Sequence, residues 1–174
     1  MSLPHYLWLL PPAPIQDRFA SLIERLGRRF GTPQFIPHLT LVGSLHGSRD
    51  EIVRKTTALA ATLAPVPIRL AGCGWTDRHY RCLFMRAERG PELLAAHETA
   101  CTKLGEQVES DFMPHLSLIY GTLPQEQKNQ IVQTIGADFD IAFHADRIGL
   151  CHPDGTPEQW QLLHTFALTG RTKT

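Results

Sequence analysis

The chain has 174 residues, 43% of them hydrophobic and 20% charged, with a mean hydropathy of −0.15. That is enough for one domain, or for two small lobes sharing a core. Its 17 Lys and Arg balance 17 Asp and Glu, which excludes the global basic field that draws proteins to long nucleic acid and leaves room for a small anion in a local pocket.

The first element is Tyr6-Leu7-Trp8-Leu9-Leu10, a buried strand stopped by Pro11 and Pro12. It is too short for a signal peptide or a membrane span, and no basic region precedes it. The four cysteines form no Cys-x-x-Cys pair, so neither a zinc site nor a thioredoxin-like centre is expected. The expected setting is the reducing cytoplasm, with no membrane partner. Ile15, Phe19, Leu22, Ile23, Leu26 and Phe30 share one helical face between Pro14 and Gly31. A strand follows from Phe35 to about Val42. Ser48 and Glu51 form a capping box that opens a helix running to about Leu63. Ile68–Cys73 and His79–Arg86 read as strands joined by a turn around Gly74–Arg78.

The second half repeats this order. Leu93, His97, Cys101, Leu104 and Val108 fall on one helical face after Pro91. A strand runs from about Met113 to Tyr120, and a helix from about Gln125 to Ile135. Phe139–Phe143, Arg147–Leu150 and Gln159–Phe166 read as closing strands, with a turn at His152-Pro153-Asp154-Gly155. Arg171–Thr174 reads as a frayed tail. The expectation is a single α+β domain over 1–174. Its two lobes are pseudo-twofold related, each with an antiparallel sheet and outer helices, around a central cleft.

Two of these strands carry nearly the same words. Phe35-Ile36-Pro37-His38-Leu39-Thr40-Leu41-Val42 aligns without a gap on Phe112-Met113-Pro114-His115-Leu116-Ser117-Leu118-Ile119. Strand side chains alternate between faces, so His38 and Thr40 share one face and Leu39 and Leu41 the other. His115 and Ser117 repeat the arrangement. An imidazole and a hydroxyl about 6.6 Å apart along a strand can touch one tetrahedral anion. Two such strands side by side would surround a phosphate with two proton-transfer groups and two donors. Packing explains one strand histidine readily. It does not explain two in matching apolar frames.

These motifs resemble the paired H-x-[ST]-hydrophobic signatures of the two-histidine (2H) phosphoesterase superfamily, over nearly the whole chain. Leu7-Trp8-Leu9-Leu10-Pro11 and the stretch Met113–Tyr120 are most similar to its cyclic phosphodiesterase branch. The resemblance implies the bilobal 2H fold, no cofactor, and metal-independent hydrolysis of a cyclic phosphate on ribose. Nucleoside 2′,3′-cyclic phosphates would open to 2′-phosphates, and ADP-ribose 1″,2″-cyclic phosphate to the 1″-phosphate. It implies His115 as base, His38 as acid, and Thr40 and Ser117 as holders of the non-bridging oxygens. The small-molecule partner would be a cyclic phosphate nucleotide bound by a monomer. A 2′-5′ RNA ligase-like enzyme acting on RNA ends and a non-catalytic nucleotide or RNA binder are the alternatives.

Three aromatics complete the expectation. Tyr120 matches an aromatic near the pocket of that branch, although strict alternation puts it with Leu116 and Leu118; Gly121 could twist it back. Trp8 is expected to pack in the core. Trp75, beside Gly74 in a turn, is a candidate base-stacking lid. Arg78, His79 and Arg81, near that turn, could meet a second phosphate but read first as a solvated face, and His144, His152 and His164 show no ligand spacing with the motif histidines.

Overall fold

The structure is a computed structural model that describes residues 4–135 and 140–171. Among the described residues, eight strands and four α-helices follow one another as β1 (His5–Leu10), α1 (Ala13–Phe30), β2 (Leu39–Leu45), α2 (Arg49–Ala60), β3 (Val66–Trp75), β4 (Leu83–Ala87), α3 (Pro91–Leu104), β5 (His115–Ile119), α4 (Gln125–Ile135), β6 (Asp140–Ala145), β7 (Arg147–His152) and β8 (Gln161–Ala167). Every pairing is antiparallel, in the order β6-β3-β4-β5-β2-β1-β7-β8. The two lobes are the two halves of this order. They meet edge to edge where β2 pairs with β5 at Leu39 and Leu116.

The lobes interleave. Each repeat begins with an antiparallel β-α-β unit, β1-α1-β2 or β4-α3-β5. After the first motif strand the chain crosses to the other lobe, where β3 joins β4; after the second it lays β6 beside β3 and then crosses, where β7 joins β1. The helices cross as well, with α1 against β5 and α3 against β2.

The core lies between this helical layer and one face of the sheet. Leu39, Leu41, Leu116 and Leu118 are all within 1% of full burial there, each contributing about 1.5–3 kcal/mol. A polar replacement of any of them would leave an unpaired group in that layer. The opposite face is lined by the motif histidines and forms the cleft.

The helix boundaries follow their local signals. Pro14 sits in the first turn of α1 and Gly31 closes it with φ 66°, a left-handed conformation that costs glycine little. Ser48 Oγ accepts the Glu51 N–H at 3.3 Å. The box is only half formed, because the Glu51 carboxylate pairs with Lys55 at 2.9 Å. α2 stops at Ala60, short of the expected Leu63. The helical face read out to Val108 ends earlier, since Gly105 caps α3 with φ 81° and leaves Val108 exposed.

His79–Arg86 is not one strand. Its first three residues form a 3₁₀ turn, and β4 begins at Leu83. Trp75 is the last residue of β3, not part of a turn. Of the closing strands, Phe139 lies outside the described residues, as do the last three residues of the tail.

Candidate active site

Both motif histidines are held in one way. His38 Nδ1–H donates to the Ile36 carbonyl at 2.6 Å, and His115 Nδ1–H donates to the Met113 carbonyl at 2.9 Å. Each bond reaches back two residues to the position just before the motif proline. Tying Nδ1 fixes the tautomer and leaves Nε2, on the far edge of the ring, as an acceptor for the cleft.

The register places the four polar groups. Leu39 faces Leu116 across the β2–β5 seam. One residue further each way, His38 comes opposite Ser117, and Thr40 comes opposite His115. Cross-strand neighbours on one face stand about 4.5–5.5 Å apart. The imidazoles therefore occupy one diagonal of a rectangle and the hydroxyls the other. All four line one cleft of about 650 Å³.

Both motif strands then break the alternation rule at equivalent points. Trp8 pairs with Thr40 and Leu7 with Val42, so Leu41 is an extra residue in β2. Phe84 pairs with Ser117 and Leu83 with Ile119, so Leu118 is an extra residue in β5. Each is a β-bulge. Two consecutive residues then face the core in each strand, Leu41 with Val42 and Leu118 with Ile119. The bulge returns Tyr120 to the cleft, which strict alternation did not foresee. The repeat extends even to the backbone that follows, because Ser44 and Gly121 both have positive φ, 57° and 143°.

Aromatic rings flank each histidine from the neighbouring strand. Trp8 is both core and site: it is 2% exposed, lines the cleft, and stacks flat on His38 at 3.7 Å and 12°. Phe84 meets the edge of His115 at 5.3 Å. Burial pushes the His38 imidazole down to about 4; the Ile36 carbonyl opposes the fall and the charge of His115 adds to it. Burial also lowers His115, opposed by the Met113 carbonyl and aided by the Arg81 guanidinium. Both shifts favour the neutral imidazole. An anion between them would stabilise the imidazolium that one of them must become.

The 3₁₀ turn forms the opposite wall. Its carbonyls are consumed inward: Gly121 N–H donates to His79 O at 2.9 Å, Ser117 Oγ to Tyr80 O at 3.2 Å, and Thr76 Oγ1 to Arg81 O at 2.6 Å. Arg78, His79, Tyr80 and Arg81 are left to line the cleft. Beneath the turn, the buried Lys128 ammonium donates to Thr76 O at 2.9 Å and to Asp77 Oδ1 at 2.8 Å. Tyr120 stacks on Phe35 at 3.7 Å, and burial raises its phenol. Tyr80, Tyr120 and Trp160 lie with ring centroids 5.3–5.8 Å apart.

Of the residues expected at the site, His38, Thr40, His115, Ser117 and Tyr120 come together. Trp75 does not. It packs against the main core, with the Lys128 ammonium 5.1 Å from its ring, and is not a lid over the cleft. Sequence reasoning missed Phe84, Tyr80 and Trp160, which reach the site only through strand pairing and loop folding. Among the described residues, no group of three or more His, Cys, Asp or Glu could hold a metal ion, and no helix is long and apolar enough to cross a membrane.

A doubled His-x-hydroxyl face on a two-lobed antiparallel sheet is the construction of a two-histidine phosphoesterase. The sequence profile of the 2′-5′ RNA ligase superfamily matches residues 11–157. The chain is 27% identical over 162 residues to a cyclic phosphodiesterase from Arabidopsis thaliana, covering 89% of this chain and 90% of that one. Its fold is similar to TT0787 of Thermus thermophilus, with a TM-score of 0.68, 16% identity, and coverage of 98% and 100% of the two chains. It is also similar to E. coli LigT complexed with 3′-AMP, with a TM-score of 0.64, 16% identity, and coverage of 97% and 99%. The chain belongs to the 2′-5′ RNA ligase superfamily of two-histidine phosphoesterases and is an enzyme.

Proposed function

We propose that this enzyme hydrolyses cyclic phosphates on ribose without a metal, using His38 and His115 as its acid–base pair. The observation that carries the reading is the matched restraint of the two rings at their Nδ1 atoms, on one diagonal of the cleft floor. A phosphodiester is an anion and resists attack by water unless charge and geometry are managed. One neutral imidazole takes a proton from the attacking water. The other, protonated, gives a proton to the departing ribose oxygen. On that diagonal they would flank a phosphorus from opposite sides, as in-line displacement requires. Thr40 and Ser117, on the other diagonal, hold the non-bridging oxygens as charge builds. By family resemblance His115 is the base and His38 the acid.

The substrate is a nucleoside 2′,3′-cyclic phosphate, opened to the 2′-phosphate, or ADP-ribose 1″,2″-cyclic phosphate, opened to the 1″-phosphate. Tyr120, Tyr80 and Trp160 offer flat apolar surface for a base. Arg78, His79 and Arg81 line the same cleft and suit an anion beyond the cyclic phosphate. That wall favours ADP-ribose cyclic phosphate, and keeps RNA ends as a second reading. The relative named as a cyclic phosphodiesterase supports the hydrolase reading.

The test compares kcat/KM for 2′,3′-cyclic AMP, ADP-ribose 1″,2″-cyclic phosphate and an RNA oligomer ending in a 2′,3′-cyclic phosphate. Preference for the two small molecules supports the proposal. A preference of 100-fold or more (about 2.7 kcal/mol) for the oligomer would move the enzyme to RNA ends.

A further inference from the structure

His97 is a buried imidazole that the acid–base chemistry does not use. It lies on α3, is 3% exposed, and reaches the floor of the cleft beside Leu41 and Phe112. Its Nδ1–H donates to the Leu41 carbonyl at 2.8 Å. Leu41 is the extra residue of the β2 bulge, and such a residue is left outside the strand ladder. An unpaired carbonyl there would lose its hydration with nothing in return or draw the bulge out of shape. His38 and Thr40 stand immediately before it.

The same ring touches the other motif. It lies parallel to Phe112, 3.8 Å away and tilted by 2°. Phe112 opens the second motif, and the carbonyl of the next residue, Met113, holds His115. Cys101 Sγ lies against the same ring, 3.8 Å from Nδ1 and 3.7 Å from Nε2. One side chain thus touches the backbone that sets His38 and Thr40, and the ring that begins the segment setting His115.

We propose that His97 is a positioning residue that holds the first motif strand in the register the reaction needs. Its hydrogen bond does the holding, and the stack on Phe112 seats the ring that donates it. Acid and base must be placed to within a fraction of an ångström, and a displacement of about 1 Å can cost about 100-fold in rate. The proposal rests on the hydrolase reading for its kinetic arm only.

Two variants separate the functions of the ring. His97→Phe keeps a flat ring on Phe112 and removes the donor. His97→Asn places an N–H where Nδ1 stood and removes the ring. The expected result for His97→Phe is a fall of about 10–100-fold in kcat with KM little changed, and a shifted His38 imidazole resonance in nitrogen-15 NMR. His97→Asn is expected to recover kcat to within a few-fold of wild type, with His38 back near its native resonance. A His97→Phe enzyme with native kcat and an unmoved His38 signal overturns the proposal. So does an equal loss in both variants. If His97→Phe does not fold, the wild-type tautomer decides: Nδ1–H with Nε2 bare is required, and the reverse overturns the inference. If wild type turns over no cyclic phosphate, the hydrolase reading fails and the His38 resonance still tests the brace.

Discussion

Leu39 faces Leu116 across the seam between the lobes, the registered contact at which β2 and β5 meet. Both side chains are buried against the helices, so the flanking residues are forced to the other face. This pair therefore sets the two imidazoles on one diagonal and the two hydroxyls on the other. Packing on one side of the sheet dictates geometry on the other.

Removal of either imidazole should cost about 10²–10⁴-fold in kcat. The double variant His38→Ala with His115→Ala should be far less impaired than the product of the single losses, because the two groups act as a unit. Steady-state kinetics on the three variants checks both statements.

Ser117 has a second duty, since its hydroxyl proton goes to the Tyr80 carbonyl. Substrate must draw that proton away. Ser117→Ala should lower kcat by about 10²–10³-fold, the range for loss of one transition-state donor. Thr40→Val should fall in the same range while keeping its β-branched shape. Stopped-flow rates at saturating substrate separate these effects from binding.

The depressed His38 pKa of about 4 makes stability depend on pH. An unfolded histidine titrates near 6.5, so between these values the unfolded chain binds more protons. Stability is full above about pH 6.5 and is lost as pH falls toward 4, by about 3 kcal/mol from this residue. His115, lowered in the same direction, adds to the loss. Denaturant midpoints from pH 8 to 4 should fall steeply for wild type and more gently for His38→Phe.

Lys128 anchors the wall of the cleft. Its side chain is 2% exposed, while its partner Asp77 is 92% exposed, so the carbonyl of Thr76 is the partner it holds inside. Lys128→Met should destabilise by about 1–3 kcal/mol through that unpaired carbonyl. It should also raise KM more than it lowers kcat, because Arg78–Arg81 lose their footing. Thermal unfolding and Michaelis kinetics on one preparation measure both.

The sequence displayed what is local and repeated. The doubled motif revealed the facing of His38, Thr40, His115 and Ser117, because alternation needs no tertiary knowledge over three residues. Pro14, Gly31 and Ser48 marked helix ends by their own backbone chemistry. The bulges at Leu41 and Leu118 were hidden, because an extra residue is visible only against a partner strand. Tyr120 was misplaced by alternation for that reason. Trp75 reads as a loop aromatic beside Gly74. Yet Gly74 is a strand residue whose bare Cα admits the Arg86 guanidinium, since a Cβ there would lie 2.7 Å from Arg86 Nη2. Lys128 looks like a surface residue of an amphipathic helix until the 3₁₀ turn folds over it. The crossing of β3 and β7 between lobes belongs to topology alone.

The most direct measurement is hydrolysis of 2′,3′-cyclic AMP in EDTA, followed by phosphorus NMR, for wild type, His38→Ala and His115→Ala. The two-histidine account predicts turnover by wild type to the 2′-phosphate alone, and its loss in both variants. Full turnover by either variant, or a wild type that works only after a divalent metal is restored, would contradict it.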